Sequence, residues 1–588
     1  MQKKSDQGVF IHRIRYYCAL PILLIFIFSS VLMFANANSV HASVVRPLEN
    51  NGLAQTPLMG WSSWSSIRNN PSEAAIKTQA QAMASTLKSY GYTYINLDDF
   101  WYLNPTTTVD QYGRWATDTS RFPDGIAATA SYMHNLGLKF GIYLTPGIPV
   151  AAVNQNTPIQ GTSYHAADIA DTSRHEVNYN YGNSAMYYIN YSKPGAQAFI
   201  NSWANELASW GVDFLKIDGV GDADISDIQA WSTALKQSGR NIYFSLSNNL
   251  DVNNVSIWQQ NTNGWRIDGD VECYCSTLVT WNSVLSRFND APRWVGDGKP
   301  GGWNDLDSLD VGNGSRDGLS NDERQTYMTL WSIESAPLSI GDNLTSLDSY
   351  GLSLLTNTEV IAVDQAGHQA HPISQASSQQ VWFADNGDGS YTVGLFNLGG
   401  STATVSVNWS SLGFSGPASV RDLWSHTNLG TITNSFSATL NAHASRLLKV
   451  TPGSAVTPTP TPTVMPTTTP TVTPTTTPVT GGQACSVNYA ITNQWAGGFG
   501  TSVTINNTGT TTINGWTLTW TFANGQTITQ LWNGTPTQSG ASVSVTNVSY
   551  NATISPGSNT NFGFNGAWNG SNAVPTSFAL NGKTCTTV

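Results

Sequence analysis

Charge is the first scarcity. Lys, Arg, Asp and Glu together make up 11% of the 588 residues, well below the usual quarter or so. Basic residues are the minority, 26 against 37 acidic, for a formal charge of −11. A nucleic-acid binder needs a basic face, and anionic lipid attracts polybasic segments; this balance argues against both partners. Cysteine is rare, at five, and the nine His show no metal-ligand spacing. Disorder of the whole chain is excluded by what is abundant: 21 Trp, 22 Tyr and 20 Phe beside 52 Gly. Few charges with many aromatics fit an extracellular, largely β-containing protein that handles polar, weakly charged ligands.

Apolar length is confined to the N-terminus. Lys3, Lys4, Arg13 and Arg15 precede an apolar run from Cys18 to Ala35, and small residues around Val40-His41-Ala42 follow. That order is a secretory signal, expected over residues 1–42. The run could also span a bilayer, so an uncleaved anchor is the alternative. Cleavage leaves Cys273, Cys275, Cys485 and Cys585 in a secreted, extracellular chain without membrane contact. Cys485 and Cys585 bracket the C-terminal segment and read as one staple. Cys273-Tyr274-Cys275 is too tight for an easy disulfide. From Ser454 to Thr480 the chain is almost only Thr, Pro and Val. Such a stretch cannot bury a core and extends at about 3.1 Å per residue, so 454–482 reads as a linker.

Upstream of it, helix-like and strand-like segments alternate. Ile76, Ala80, Met83 and Leu87 form one stripe of a helix from Ser72 to Tyr90, which Gly91 stops. Pro194 to Trp210 repeats the pattern, with Gly211 as the stop. Strands are predicted at 92–97, 138–143, 212–217, 241–246 and 264–267. Their ends are polar: Asp98, Asp99, Tyr143, Asp218 and, just beyond the last, Asp270. Repeated βα units of this kind suggest a (β/α)8 barrel over 43–364, with functional groups gathered at the carboxyl ends of the strands. From 365 to 453 short strands with turns replace the helices, as in a small antiparallel β-sandwich.

Two carboxylates carry the expected chemistry. Asp218 ends the apolar strand Leu215-Lys216-Ile217; the neighbouring Lys216 cation favours its charged form, and an ionised carboxylate can act as a nucleophile. Asp270 follows Arg266-Ile267-Asp268-Gly269. A second carboxyl near an ionised first one has a raised pKa, as a general acid requires. Together they are the equipment for glycoside hydrolysis; helix capping is the plainer use of Asp at strand ends.

Thr56-Pro57-Leu58-Met59-Gly60-Trp61, Asn96-Leu97-Asp98-Asp99-Phe100-Trp101, Leu215-Lys216-Ile217-Asp218, Gly301-Gly302-Trp303-Asn304-Asp305 and Leu355-Thr356-Asn357-Thr358-Glu359-Val360-Ile361 stand in that order. Together they resemble glycoside hydrolase family 27, which includes retaining α-galactosidases and α-N-acetylgalactosaminidases. The resemblance implies Asp218 as nucleophile and Asp270 as acid/base. It implies Asp98 and Asp99 as acceptors for the sugar O4 and O6 hydroxyls, and Lys216 and Arg266 as donors to ring hydroxyls. Trp64 and Tyr143 would wall the pocket, with Asp307 at its rim, and Ser247 would face the sugar 2-position. No metal or organic cofactor is implied. Some positions depart from the family: Phe100 and Gly219-Val220 stand where many members have cysteine, and Ser247 where galactosidases often have Glu. The implied activity is release of terminal α-linked galactose from oligo- or polysaccharides. A β-L-arabinopyranosidase or an α-N-acetylgalactosaminidase on the same fold is the near alternative, and a catalytically silent carbohydrate-binding protein the distant one.

The last segment, 483–588, alternates apolar and polar residues, and Lys583 is the one charge between Cys485 and Cys585. It resembles a family 2 carbohydrate-binding module of the cellulose-binding type. Asn493-Gln494-Trp495, Leu531-Trp532-Asn533-Gly534 and Ala567-Trp568-Asn569-Gly570 match its planar tryptophans. That resemblance implies that Trp495, Trp532 and Trp568 stack on cellulose or a related plant polysaccharide. Trp516 and Trp520 share one strand face and read as core.

Overall fold

A computed structural model describes residues 51–453 and 484–587, save 496, 549, 550 and 569. The expected signal segment (1–42) and linker (454–482) lie outside the described residues.

Eight parallel strands form one curled sheet. They are β1 Met59–Ser62, β2 Tyr94–Leu97, β3 Lys139–Leu144, β4 Phe214–Ile217, β5 Tyr243–Leu246, β6 Gly264–Arg266, β7 Trp303–Asp305 and β8 Leu338–Ile340. The spatial order is β7-β6-β5-β4-β3-β2-β1-β8. A parallel bridge from Leu309 to Ile340 then joins the segment after β7 to β8, which brings the two edges together as a barrel requires. The strands are short and mostly buried because helices cover the outside of the sheet, with polar side chains such as Asn96, Lys216, Arg266 and Asp305 near their carboxyl ends.

The helices form for the reasons their sequence states. Glu73–Thr86 is capped by Ser72, whose Oγ accepts from the Ala75 N–H. Ile76, Ala80 and Met83 are buried on one stripe. A short 3₁₀ turn, Lys88–Tyr90, leads to Gly91 at φ +107°, a conformation that suits glycine. Ala196–Trp210 buries Phe199, Ile200, Trp203 and Leu207 and ends at Gly211 in the left-handed region. Between β3 and β4 the chain makes an excursion that the sequence pattern does not announce: a three-stranded sheet of Ile148–Pro149, Met186–Ile189 and Ala170–Glu176.

The second layer is an antiparallel sandwich. Strands β9 Gln379–Asp385, β10 Tyr391–Asn397, β12 Pro417–Asp422, β13 Thr427–Thr433 and β15 Ser445–Pro452 pair in the order β9-β10-β15-β12-β13, while β11 Ala403–Asn408 pairs with β14 Ser435–Leu440. The segment is not free of helix, as the sequence suggests: Trp409–Leu412 is a 3₁₀ turn. Val393, Leu395, Val405, Val407, Trp409, Leu448 and Val450 fill the space between the layers. The barrel core runs on into the sandwich. Phe288 meets Trp382 at 5.7 Å and Phe396 at 4.9 Å, both edge-on, and Arg421 grips Glu359 through two 2.7 Å bonds.

The chain divides into two compact units between Thr459 and Pro460. The second is all β, with antiparallel strands that include Gly498–Asn507, Thr517–Thr521 and Asn559–Ala567. Cys485 and Cys585 are bonded, as expected. Trp516 and Trp520 are buried among Phe522, Phe562, Phe564 and Phe578, which bears out their reading as core.

Candidate active site

One cavity of about 430 Å³ opens at the carboxyl ends of the barrel strands. Trp64, Asp98, Asp99, Tyr143, Lys216, Asp218, Ser247, Arg266, Asp270 and Asp307 all line it, so every barrel residue singled out in the sequence meets in one place. The parallel sheet does this: each strand ends on the same face, and the first residue of each following loop is delivered to it.

The floor is built from charge pairs. Lys216 on β4 reaches over β3 and donates to Asp98 at 2.9 Å. Its nearest carboxylate is therefore Asp98, not the Asp218 two residues along its own strand. Burial works against the Lys216 charge, but Asp98 and then Asp218 hold the ammonium protonated. Asp98 also accepts from Ser62, Asn96 and the Asp99 N–H. Burial pushes the neighbouring Asp99 carboxyl up to about 7, against the hydrogen bonds from Phe100 N–H and Tyr102. The Tyr143 hydroxyl is buried and has no hydrogen-bond partner. It faces Asp99 and Asp218, whose charges add to burial in holding it protonated. A buried donor left over in a pocket calls for a ligand oxygen.

The wall beyond β6 departs most from expectation. Arg266 is almost fully buried; it donates to Asp270 at 2.8 Å and to Asp307 at 2.6 Å. Asp307 is therefore not a rim residue. It is buried, at φ +83°, and also accepts from the Val271 N–H. Asp270 does not have the raised pKa that two adjacent carboxyls suggest. Burial raises it, but Arg266, a hydrogen bond from Tyr274, and Lys216 together bring it down to about 2. Glu272, buried below, is raised to about 7 by burial and by Asp307 and Asp270. It is bonded by Ser65 and Ser308.

Cys273 and Cys275 are bonded to each other, with Cα atoms 5.2 Å apart. The expectation that the pair is too tight fails because Tyr274 adopts φ +51°, and the turn there brings the flanking Cα atoms within the range a disulfide spans. Three non-glycine residues with positive φ line this cavity, Asn248, Tyr274 and Asp307, and a fourth, Phe100, packs on the lining residue Trp64. Held strain of that kind concentrates at functional sites.

The sequence reading missed some members of the site. Tyr179 comes from the excursion between β3 and β4 and lines the cavity beside Asp218 and Asp270. Tyr274 lines it as well, whereas Asn248, also in the lining, belongs to the loop already singled out around Ser247. Phe100 stacks on Trp64 at 6.2 Å.

In the second unit, Trp568 is half-buried, packs on the core and donates its indole N–H to the Gly498 carbonyl. Trp495 and Trp532 lie on strands, but their side chains are outside the described residues.

With this geometry in place, comparison with known proteins is decisive. The family model "Alpha galactosidase A" matches residues 56–172 and 180–366. The chain belongs to glycoside hydrolase family 27. A model of the α-galactosidase C-terminal β-sandwich matches 376–450 in this family 27 chain, and one of a cellulose-binding domain matches 485–585. An α-galactosidase of Cyamopsis tetragonoloba is 33% identical over 428 residues, covering 71% of this chain and 92% of its own. One from Coffea arabica is 34% identical over 415 residues, 69% and 97%. Among solved structures, a β-L-arabinopyranosidase of the same family from Geobacillus stearothermophilus superposes with a TM-score of 0.62. It is 34% identical and covers 69% of this chain and 98% of its own. The α-galactosidase I of Mortierella vinacea gives 0.56 at 28% identity, with 68% and 98% covered. This family 27 chain is a glycosidase of the α-galactosidase type joined to a cellulose-binding domain. Among the described residues no helix is long and apolar enough to cross a membrane.

Proposed function

We propose that the chain is an exported, retaining α-galactosidase that trims terminal α-linked galactose from plant oligo- or polysaccharides while its C-terminal module holds it on cellulose. The reading rests on one observation above others: Asp218 and Asp270 line one cavity with the Asp98–Lys216 pair and Asp99. Asp218 attacks the anomeric carbon from one side. Asp270 protonates the glycosidic oxygen as its bond to that carbon breaks. In the second step Asp270 takes a proton from water, the water oxygen attacks the same carbon, and Asp218 is released. The two inversions give net retention. Asp98 and Asp99 accept hydrogen bonds from hydroxyls of the sugar, bonds that are strongest where the acceptor is ionised. The layout behind this is a signal segment 1–42, catalytic barrel 43–364, sandwich 365–453, linker 454–482 and binding module 483–588. Trp495, Trp532 and Trp568 would provide the stacking surface. A tether of that length raises local substrate concentration without adding contacts.

The deciding assay runs nitrophenyl α-galactoside, β-L-arabinopyranoside and α-N-acetylgalactosaminide in parallel, with the first product's anomeric configuration read by NMR. A dominant α-galactoside rate with an α-configured product is expected. Preference for the arabinopyranoside, the activity named for the Geobacillus relative, would overturn the assignment at C6; preference for the acetamido sugar would overturn it at C2. Deleting 484–588 is expected to leave hydrolysis of the soluble galactoside unchanged and to abolish retention on microcrystalline cellulose. Retention by the shortened chain would refute the role given to the module.

A further inference from the structure

The Cys273-Tyr274-Cys275 motif has no part in the reading above, yet it lies directly on Asp270. Tyr274 donates its hydroxyl hydrogen to Asp270 Oδ2. Trp64 Nε1 donates to the same hydroxyl oxygen at 3.0 Å, and the Arg68 guanidinium lies 4.8 Å from the ring centroid. The ring sits on a hairpin: Cys273 N–H bonds to the Leu278 carbonyl, and Glu272 bridges to Val279. The disulfide closes its tip. Left-handed backbone is costly for a tyrosine, and a covalent clasp on both sides holds the turn in place.

Both oxygens of Asp270 thus accept hydrogen bonds, Oδ1 from Arg266 and Oδ2 from Tyr274. A carboxylate occupied in this way stays ionised, and an ionised Asp270 has no proton to give. To act as an acid it must lose one donor. Arg266 cannot be the one, because it is 3% exposed and pinned by Asp307 as well. Tyr274 is 52% exposed on a surface hairpin. The other charged and titratable groups around Asp270 are Lys216 on β4, Asp218 at its end, Tyr179 from the excursion, and Glu272 and Asp307 below. None of these donates a hydrogen bond to its outer oxygen.

We propose that Tyr274 is a positioning residue, a disulfide-clasped latch that keeps Asp270 ionised in the free enzyme and gives way when the leaving group of the substrate takes its place. This rests on Asp270 being the acid/base. Once Tyr274 has moved, Asp270 takes up a proton from solvent. It passes that proton to the glycosidic oxygen as the bond to the anomeric carbon breaks, and recovers one from water in the second step. The tyrosine keeps its own proton throughout. Burial and the adjacent Asp270 charge hold that hydroxyl protonated well above the ordinary tyrosine range.

The test is kcat/KM against pH, which reports ionisations of the free enzyme, for the full chain and Tyr274→Phe. Two substrates are used: methyl α-galactoside, whose departure needs an acid, and 2,4-dinitrophenyl α-galactoside, which needs none. Tyr274→Phe is expected to shift the alkaline limb upward by about one pH unit for the methyl glycoside and to leave the dinitrophenyl profile in place. The Cys273→Ser/Cys275→Ser variant, which keeps the tyrosine and frees the turn, should move the limb the same way by less. It serves as the second measure if Tyr274→Phe does not fold. A limb that stays fixed in the variants overturns the latch. Failure of the parent reading looks different: the unaltered enzyme would cleave neither galactoside, or Asp270→Ala would leave the methyl glycoside rate intact.

Discussion

Asp218→Asn is expected to cut turnover of an aryl α-galactoside by about 10⁴-fold or more while leaving the barrel folded. The substitution replaces the carboxylate assigned to covalent attack with an amide of nearly the same shape. Asp218 is only half-buried. Its backbone N–H bonds to the Leu144 carbonyl at 2.9 Å, and that bond does not depend on the side chain. The far-ultraviolet circular dichroism and melting midpoint should therefore match those of the parent protein. Near-normal turnover in a folded Asp218→Asn protein would remove the nucleophile assignment and, with it, the double-displacement mechanism. Loss of activity together with loss of structure would place Asp218 among the packing residues instead.

Asp98→Asn should have the largest effect on stability. Asp98 is 2% exposed, and it is the carboxylate that Lys216 reaches. Without its charge, a buried ammonium loses its nearest counter-ion, and breaking one side of such a pair costs about 3–5 kcal/mol. The amide must also place its NH₂ or its oxygen against Ser62, Asn96 and the Asp99 N–H, which now share the two carboxylate oxygens. Urea unfolding of the catalytic unit measures the loss. A change below about 1 kcal/mol would show that Lys216 is held mainly by Asp218 and by solvent. Activity should fall as well, since the same carboxylate faces the sugar pocket.

Much of this site is legible in the sequence, for a simple reason. In a parallel barrel the strands are predominantly apolar, so an acid directly after such a run marks a strand end and therefore the functional face. Asp98, Asp99 and Asp218 are found in that way, and the helices that precede their strands by stripes that end at Gly91 and Gly211. What the sequence hides depends on reach across the barrel. That Lys216 chooses Asp98 follows from two strands that are not neighbours. That Asp270 is held ionised depends on where Arg266 and Tyr274 come to rest, and no local pattern carries that. Tyr179 belongs to a polar, Tyr- and Asn-rich excursion with no hydrophobic period, so nothing in its surroundings distinguishes it. The disulfide of Cys273 and Cys275 looks forbidden until the left-handed turn of Tyr274 is known.

The aromatic seam of Phe288, Trp382 and Phe396 has a consequence for how such enzymes can be recombined. Because the barrel and sandwich share that seam and the Arg421–Glu359 clamp, a graft that exchanged the sandwich alone would strip apolar surface from both partners. A junction placed after 453 severs neither contact. Binding modules of other polysaccharide preferences can therefore be exchanged there as interchangeable cargo, whereas the catalytic barrel travels only with its own sandwich attached.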